Sequence, residues 1–93
     1  MKKISLIGIL LCLCSCVSQL YIPIENSGTI TLENLTLGRK IYVTKCSNCH
    51  QLYSPNKYNS VEWQKNLNWM QRKAKITDDQ KNLIFDYLIN APK

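Results

Sequence analysis

Apolar residues recur at helical spacing in three stretches of the chain after position 34. The first stretch predicts a helix from about position 35 or 36 to position 45, with Thr36 as its N-cap. Leu37, Ile41 and Tyr42 are expected to form the apolar face of this helix.

A second helix is predicted over 61–73, because Ser60 is a good N-cap and the apolar residues after it fall on one helical face. These residues are Trp63, Leu67, Met70 and Ala74. The loop between the first two helices contains Pro55 and two asparagines, which favour turns.

A third helix should begin at Asp78, since Thr77 and Gln80 have the spacing of a capping box, and it should end near Asn90. Its apolar residues are Leu83, Ile84, Tyr87 and Leu88. Three helical stretches without a run of strands predict one small all-α domain.

The first 15 residues have the layout of an export signal. Two lysines precede an apolar run over 4–13, which is shorter than the ~20 residues that a membrane-spanning helix needs. Positions 13 to 16 are L-C-S-C, which resembles the lipobox of bacterial lipoproteins. We expect residues 1–15 to be a signal peptide and Cys16 to be lipidated. An ordinary signal peptide that is cleaved slightly further on is the alternative.

Either signal would carry the mature chain across the inner membrane, so we expect it at the periplasmic side or the cell surface, anchored as a lipoprotein. Residues 16–35 are predicted to form a lipid-anchored tether and an approach segment, with a short strand at 29–32. Residues 36–93 are predicted to form the folded domain.

The formal charge of +6 includes Lys2 and Lys3. Their removal leaves 10 Lys and Arg against 6 Asp and Glu, a charge of +4. The basic residues are scattered along the chain, which argues against nucleic-acid binding and gives only a mild bias towards acidic partners.

Positions 46 to 50 are C-S-N-C-H, a motif compatible with zinc binding, thiol redox chemistry or covalent haem attachment. Structural zinc needs four protein ligands, but the processed chain offers Cys46, Cys49 and His50, with a fourth only if Cys16 is counted. A redox C-x-x-C begins a helix packed on a sheet, whereas this motif follows a helix. Haem attachment needs the spacing that is present, with two thiols and an adjacent imidazole.

Residues around the motif strengthen the haem interpretation. The pattern Gly38-x-x-x-Tyr42-x-x-x-Cys46-x-x-Cys49-His50 resembles the opening of class I c-type cytochromes. Tyr87 and Leu88 are similar to the aromatic and aliphatic pair that faces the first helix in that family. The resemblance covers about 36–90 and implies three helices around one covalent haem c. In that picture Gly38 lets the first and last helices cross closely.

The resemblance also implies the site residues. Cys46 and Cys49 would form thioethers to the haem, and His50 would be the proximal ligand. Met70, the only methionine after the signal, would be the distal ligand, and a core residue on the apolar face is the alternative. Pro55 is a candidate for the carbonyl that accepts a hydrogen bond from the proximal imidazole, with an ordinary turn proline as the alternative.

These expectations describe a membrane-tethered carrier of single electrons between redox proteins, not an enzyme that makes or breaks bonds. Two alternatives remain open. One is a haem-based sensor or binder of small ligands, if the sixth position of the iron is open. The other is a haem subunit of a larger respiratory complex.

Overall fold

The protein is described by a computed structural model that covers residues 20–46 and 52–92. Three α-helices make up most of this part of the chain: α1 (Leu32–Ile41), α2 (Ser60–Ala74) and α3 (Asp78–Ile89). A π-helical turn, Tyr42–Cys46, continues α1, and a 3-10 turn, Pro55–Lys57, precedes α2. The described residues contain no strand, so the prediction of a mostly helical domain is confirmed.

The start of α1 differs from the prediction. The helix begins at Leu32, and its N-cap is Thr31, whose hydroxyl accepts a hydrogen bond from the Asn34 N–H at 3.1 Å. Thr36, the predicted cap, lies exposed inside the helix. Both threonines are acceptable caps, but the earlier one lets another turn of helix form.

The predicted strand over 29–32 is also wrong. Ser27 and Ile30 form an isolated bridge around Gly28, with both backbone hydrogen bonds at 2.9 Å. Gly28 has a φ of +59°, a conformation that glycine adopts without steric cost. A tight turn therefore occupies the predicted strand and leads into the cap of α1.

The apolar face of α1 also differs in part from the prediction. Ile41 is buried as predicted, together with Leu35 and Gly38. Leu37 is 42% exposed and therefore lies away from the core. The α-helical part ends at Ile41, and the π-helical turn extends helical structure to the predicted end of the element.

The N-cap of α2 is one residue earlier than predicted, because Asn59 caps the helix and Ser60 is its first residue. The Asn59 side chain accepts from the Glu62 N–H at 2.8 Å, and the Glu62 carboxylate accepts from the Asn59 N–H at 3.0 Å. This reciprocal pair satisfies two backbone donors, whereas serine at position 60 would satisfy fewer. At its other end α2 stops at Ala74, followed by Lys75 with a φ of 56°.

The prediction for α3 is confirmed at both ends. Thr77 is the N-cap, and its side chain and that of Gln80 form the capping box. The helix ends at Ile89 with Asn90 as the C-cap. Ile84 and Tyr87, two of its predicted apolar residues, have no solvent exposure.

The close crossing of α1 and α3 is the central feature of the packing. A Cβ atom built on Gly38 would lie 2.1 Å from the Leu83 carbonyl oxygen and 3.1 Å from the Tyr87 Cβ. Only glycine permits this approach of the two backbones, which confirms the close crossing expected from the sequence. The crossing brings Tyr42 beside Tyr87, with ring centroids 6.3 Å apart.

The segment before α1 packs on the helices from Leu20 onward. Leu20 and Tyr21 contact the core, and the Ser27 hydroxyl donates to the Asn90 side-chain oxygen at 2.7 Å. The predicted signal peptide and Cys16 lie outside the described residues, so signal cleavage and lipidation remain predictions. Within residues 20–46 and 52–92, no helix is both long enough and apolar enough to cross a membrane.

Candidate cofactor site

Cys46 is the last residue of the π-helical turn, and its side chain is 5% exposed. The turn follows directly from α1, so the packing of α1 against α3 positions this cysteine. Cys49 and His50 belong to the stretch 47–51, which lies outside the described residues. The structure therefore describes the first residue of the motif.

A cavity of about 260 Å³ lies beside Cys46. Its walls are contributed by the π-helical turn, the loop before α2 and one face of α2 itself. The lining residues are Tyr42, Cys46, Tyr53, Tyr58, Trp63, Asn66, Leu67, Trp69 and Met70. Two of the predicted site residues, Cys46 and Met70, therefore line one cavity although they are far apart in the sequence.

Met70 lies on the α2 face that the apolar spacing predicted. Trp63 and Leu67 on this face are buried, at 4% and 3% exposure, whereas Met70 and Ala74 are half-buried. The structure places the Met70 side chain at the cavity wall, within regular helix. Met70 therefore lines the cavity from a helix, not from a loop.

Tyr42 connects α1 to the loop that follows the motif. Its hydroxyl donates to the Tyr53 carbonyl oxygen at 2.7 Å and accepts from the Tyr53 N–H at 3.1 Å. Burial raises the pKa of the Tyr42 phenol above its ordinary value, and charge on the Cys46 sulfur raises it further. The phenol therefore stays protonated, and its two hydrogen bonds join the π-helical turn to the loop at Tyr53.

The aromatic wall of the cavity is a set of edge-to-face contacts. The ring of Tyr58 packs against Tyr53 and Trp63, with centroids 5.9 and 5.0 Å apart. Trp63 also contacts Tyr42 edge to face, at 6.2 Å. Such perpendicular pairs are favourable for aromatic quadrupoles and give the wall a defined shape.

Pro55 has a defined role in this wall. Its carbonyl oxygen accepts a hydrogen bond from the buried Trp63 Nε1–H at 2.8 Å. The predicted bond from the proximal imidazole to the same carbonyl involves His50 and lies outside the described residues. A carbonyl has two lone pairs, so the bond from Trp63 leaves capacity for a second donor.

The rim of the cavity is basic. The Lys73 ammonium lies 3.8 Å from the centroid of the Trp69 ring, and Trp69 is 63% exposed. The Lys57 ammonium lies 4.4 Å from the Tyr53 ring centroid. Each lysine thus lies over an aromatic ring that also lines the cavity. The cation is attracted by the quadrupole of the ring.

The sequence interpretation did not identify Asn66 or the role of the Tyr42 hydroxyl. Asn66 is three residues after Trp63 and four before Met70, so helical spacing places it on the same face. The Tyr42 bond to Tyr53 had no signal in the sequence, because it joins a helix to an irregular loop.

Two of the four residues expected to bind a covalent haem, Cys46 and Met70, lie at this cavity. Cys46 provides a buried sulfur on one wall, and Met70 provides a thioether from α2. Apolar and aromatic side chains make up most of the remaining wall. An apolar lining of this kind suits the apolar faces of a macrocycle. Among residues 20–46 and 52–92, no group of three or more His, Cys, Asp or Glu side chains could hold a metal ion.

Comparisons of the chain with protein-family models, with curated proteins and with solved structures found no match.

Proposed function

We propose that this protein is a monohaem c-type cytochrome that carries single electrons between redox proteins while tethered to a membrane. The observation that supports this most directly is that Cys46 and Met70 line one aromatic cavity. Cys46 also begins the C-S-N-C-H motif. A buried thiol, a helical thioether and this motif together form a donor set for haem c.

Each of four residues has a role in this proposal. Cys46 and Cys49 hold the haem through thioethers, His50 is the proximal ligand and Met70 is the distal ligand. A bound haem c supplies an iron centre that accepts and releases one electron. A methionine thioether favours the reduced iron, so Met70 raises the reduction potential.

The remaining wall residues control water and access. Tyr42, Trp63 and Leu67 are buried and keep water away from the inner wall. The cavity volume of about 260 Å³ is below the ~300–1,000 Å³ typical of ligand pockets, so a bound haem would extend beyond the cavity. An exposed edge beside Trp69 and Lys73 would let electrons pass to a docked partner.

The anchor determines where this function takes place. The export signal and the proposed lipid on Cys16 place the domain at the periplasmic side or the cell surface. Its partners are then other redox proteins at the same membrane. Electron transfer of this kind requires no acid-base residues, and we propose no bond-making reaction for this site.

One observation favours a second candidate, a haem-based sensor or binder of small ligands. Met70 lines the cavity and is half-buried, so its side chain is partly open to solvent. A ligand held in this way could give way to an exogenous molecule. The haem would then bind small ligands at the sixth position.

Optical spectra of the haem-loaded protein distinguish the two functions. The carrier predicts a low-spin ferric spectrum with the weak red band of methionine ligation, and Met70→Leu should remove this band. Asn66→Ala is the matched control, because Asn66 lines the same cavity and offers no sulfur. A high-spin wild-type spectrum would overturn the carrier and favour the sensor.

A further inference from the structure

The segment that joins the proposed anchor to the domain is held firmly against the helices. We call residues 20–25 the N-terminal strap. The Tyr21 ring stacks on the Tyr87 ring, with centroids 4.5 Å apart and planes parallel to within 1°. The Tyr87 hydroxyl donates to the Tyr21 carbonyl at 2.8 Å, and the Tyr21 hydroxyl donates to the Tyr87 carbonyl.

A third hydrogen bond fixes the same residue of the strap. The Arg39 Nε–H in α1 donates to the Tyr21 carbonyl oxygen at 3.1 Å. Tyr21 is thus bound to both α1 and α3, the two helices that cross at Gly38. The strap therefore moves with the domain as one body and does not act as a free linker.

Exposure alternates along the strap. Tyr21 and Pro23 are half-buried against the domain, whereas Ile22 is 68% exposed and Ile24 is 84% exposed. Ile24 is the most exposed large apolar side chain among the described residues. Isolated apolar side chains are common on protein surfaces, but here two isoleucines project from alternate positions of a fixed segment.

The distance to the proposed lipid is short. Four peptide units separate Cys16 from Leu20, and a fully extended chain of this length spans at most about 14 Å. The start of the strap must therefore stay within this distance of the membrane surface. Positions 22–24 carry no charge, and the acidic Glu25 follows them.

We propose that Ile22 and Ile24 form a membrane-docking face, which rests on the lipid bilayer that holds Cys16. This inference depends on the proposed lipidation. The two isoleucines enter the boundary between headgroups and acyl chains, as the apolar side of an interfacial segment does. The Tyr21 contacts transmit this attachment to α1 and α3, so the domain has one orientation on the membrane.

Thiol accessibility tests this face. The full-length Ile24→Cys protein is expressed with haem attachment and lipidation, and is reconstituted into vesicles of phosphatidylethanolamine and phosphatidylglycerol. Its alkylation by a charged maleimide is compared with that of Val61→Cys, a matched control at a position 69% exposed at the start of α2. Each rate is divided by the rate of the same variant after unfolding.

In the Ile24→Cys variant, Ile22 is still present, and its burial in the bilayer favours the docked over the undocked state by about tenfold or more. Alkylation at position 24 should therefore be slower than at position 61 by this factor. A photoreactive phospholipid should also form adducts within residues 20–25. Equal alkylation rates at the two positions would overturn the docking face. Slow alkylation at position 24 without lipid adducts would also overturn it, because a second copy or a protein partner would then cover the face. A protein that does not float with the vesicles overturns the proposed lipidation as well.

Discussion

Gly38 on α1 lies against the backbone of Leu83 on α3, where a Cβ atom would stand 2.1 Å from the Leu83 carbonyl oxygen. This contact sets the crossing of the two helices that frame the domain. It also determines the position of the π-helical turn that carries Cys46 at its end. The stability of the domain and the placement of the proposed attachment site therefore depend on the same residue.

Gly38→Ala should destabilise the haem-loaded protein by about 3 kcal/mol, because α3 must move away from the new methyl group. The gain in helix propensity, about 1 kcal/mol, offsets only part of the strain. Denaturant unfolding measures the difference. Thr36→Ala, at an exposed position of the same helix, should change stability by less than about 0.5 kcal/mol. Equal effects of the two substitutions would argue against a tight crossing.

Tyr42→Phe should lower the free energy of unfolding by about 1–2 kcal/mol, because the Tyr53 N–H and carbonyl both lose the Tyr42 hydroxyl as a partner. The loop after 47–51 would then be less firmly held. Tyr58→Phe is the control, since the Tyr58 ring packs on the same wall through its edges and faces. Equal losses of stability in the two variants would show that the hydrogen bonds between the Tyr42 hydroxyl and the Tyr53 backbone do not stabilise the protein.

Lys75→Gly should stabilise the protein by about 1 kcal/mol, because Lys75 has a φ of 56° and a ψ of 48°, where a Cβ atom is unfavourable. Lys75→Ala keeps the Cβ atom and removes the rest of the side chain. Thermal unfolding of the two variants should therefore show a gain for glycine alone. A similar gain for alanine would assign the effect to the lysine side chain instead.

Stability should fall at high pH through Tyr21. Burial raises the pKa of Tyr21 from 10.0 to about 12, and charge on Tyr87 adds to this effect. A raised pKa stabilises the folded protein fully below pH 10, and this contribution disappears as the pH rises through about 12. Unfolding experiments across this range should show a smaller loss for Tyr21→Phe than for wild type. Identical pH dependence would show that the Tyr21 hydroxyl is not buried against Tyr87.

The helices were predictable where a sequence signal had one interpretation. The capping box at Thr77 set the start of α3, and the spacing of Trp63 and Leu67 identified the buried face of α2. At α1 two threonines could act as caps, and local sequence does not distinguish them. Leu37 was misplaced for a related reason: its spacing from Ile41 suits one face, but the close approach at Gly38 rotates the buried face away from it.

The proximity of two predicted site residues could be anticipated from the sequence, whereas the contacts that support them could not. Cys46 and Met70 were both expected near one cofactor, and the structure brings them to one cavity. The Trp63 bond to Pro55 and the Tyr21 stack on Tyr87 join residues that lie 8 and 66 positions apart. Such contacts depend on how the helices and loops pack in three dimensions, and no residue pattern along the chain predicts them.

The intact mass of the mature protein, made in a host that attaches c-type haem, tests the central claim most directly. The claim predicts a chain heavier by one haem, which remains bound after unfolding and is found on the peptide that contains Cys46 and Cys49. The double substitution Cys46→Ala with Cys49→Ala should remove this added mass completely. A wild-type protein without the mass of a haem, or with a haem that leaves on unfolding, would contradict the proposed function.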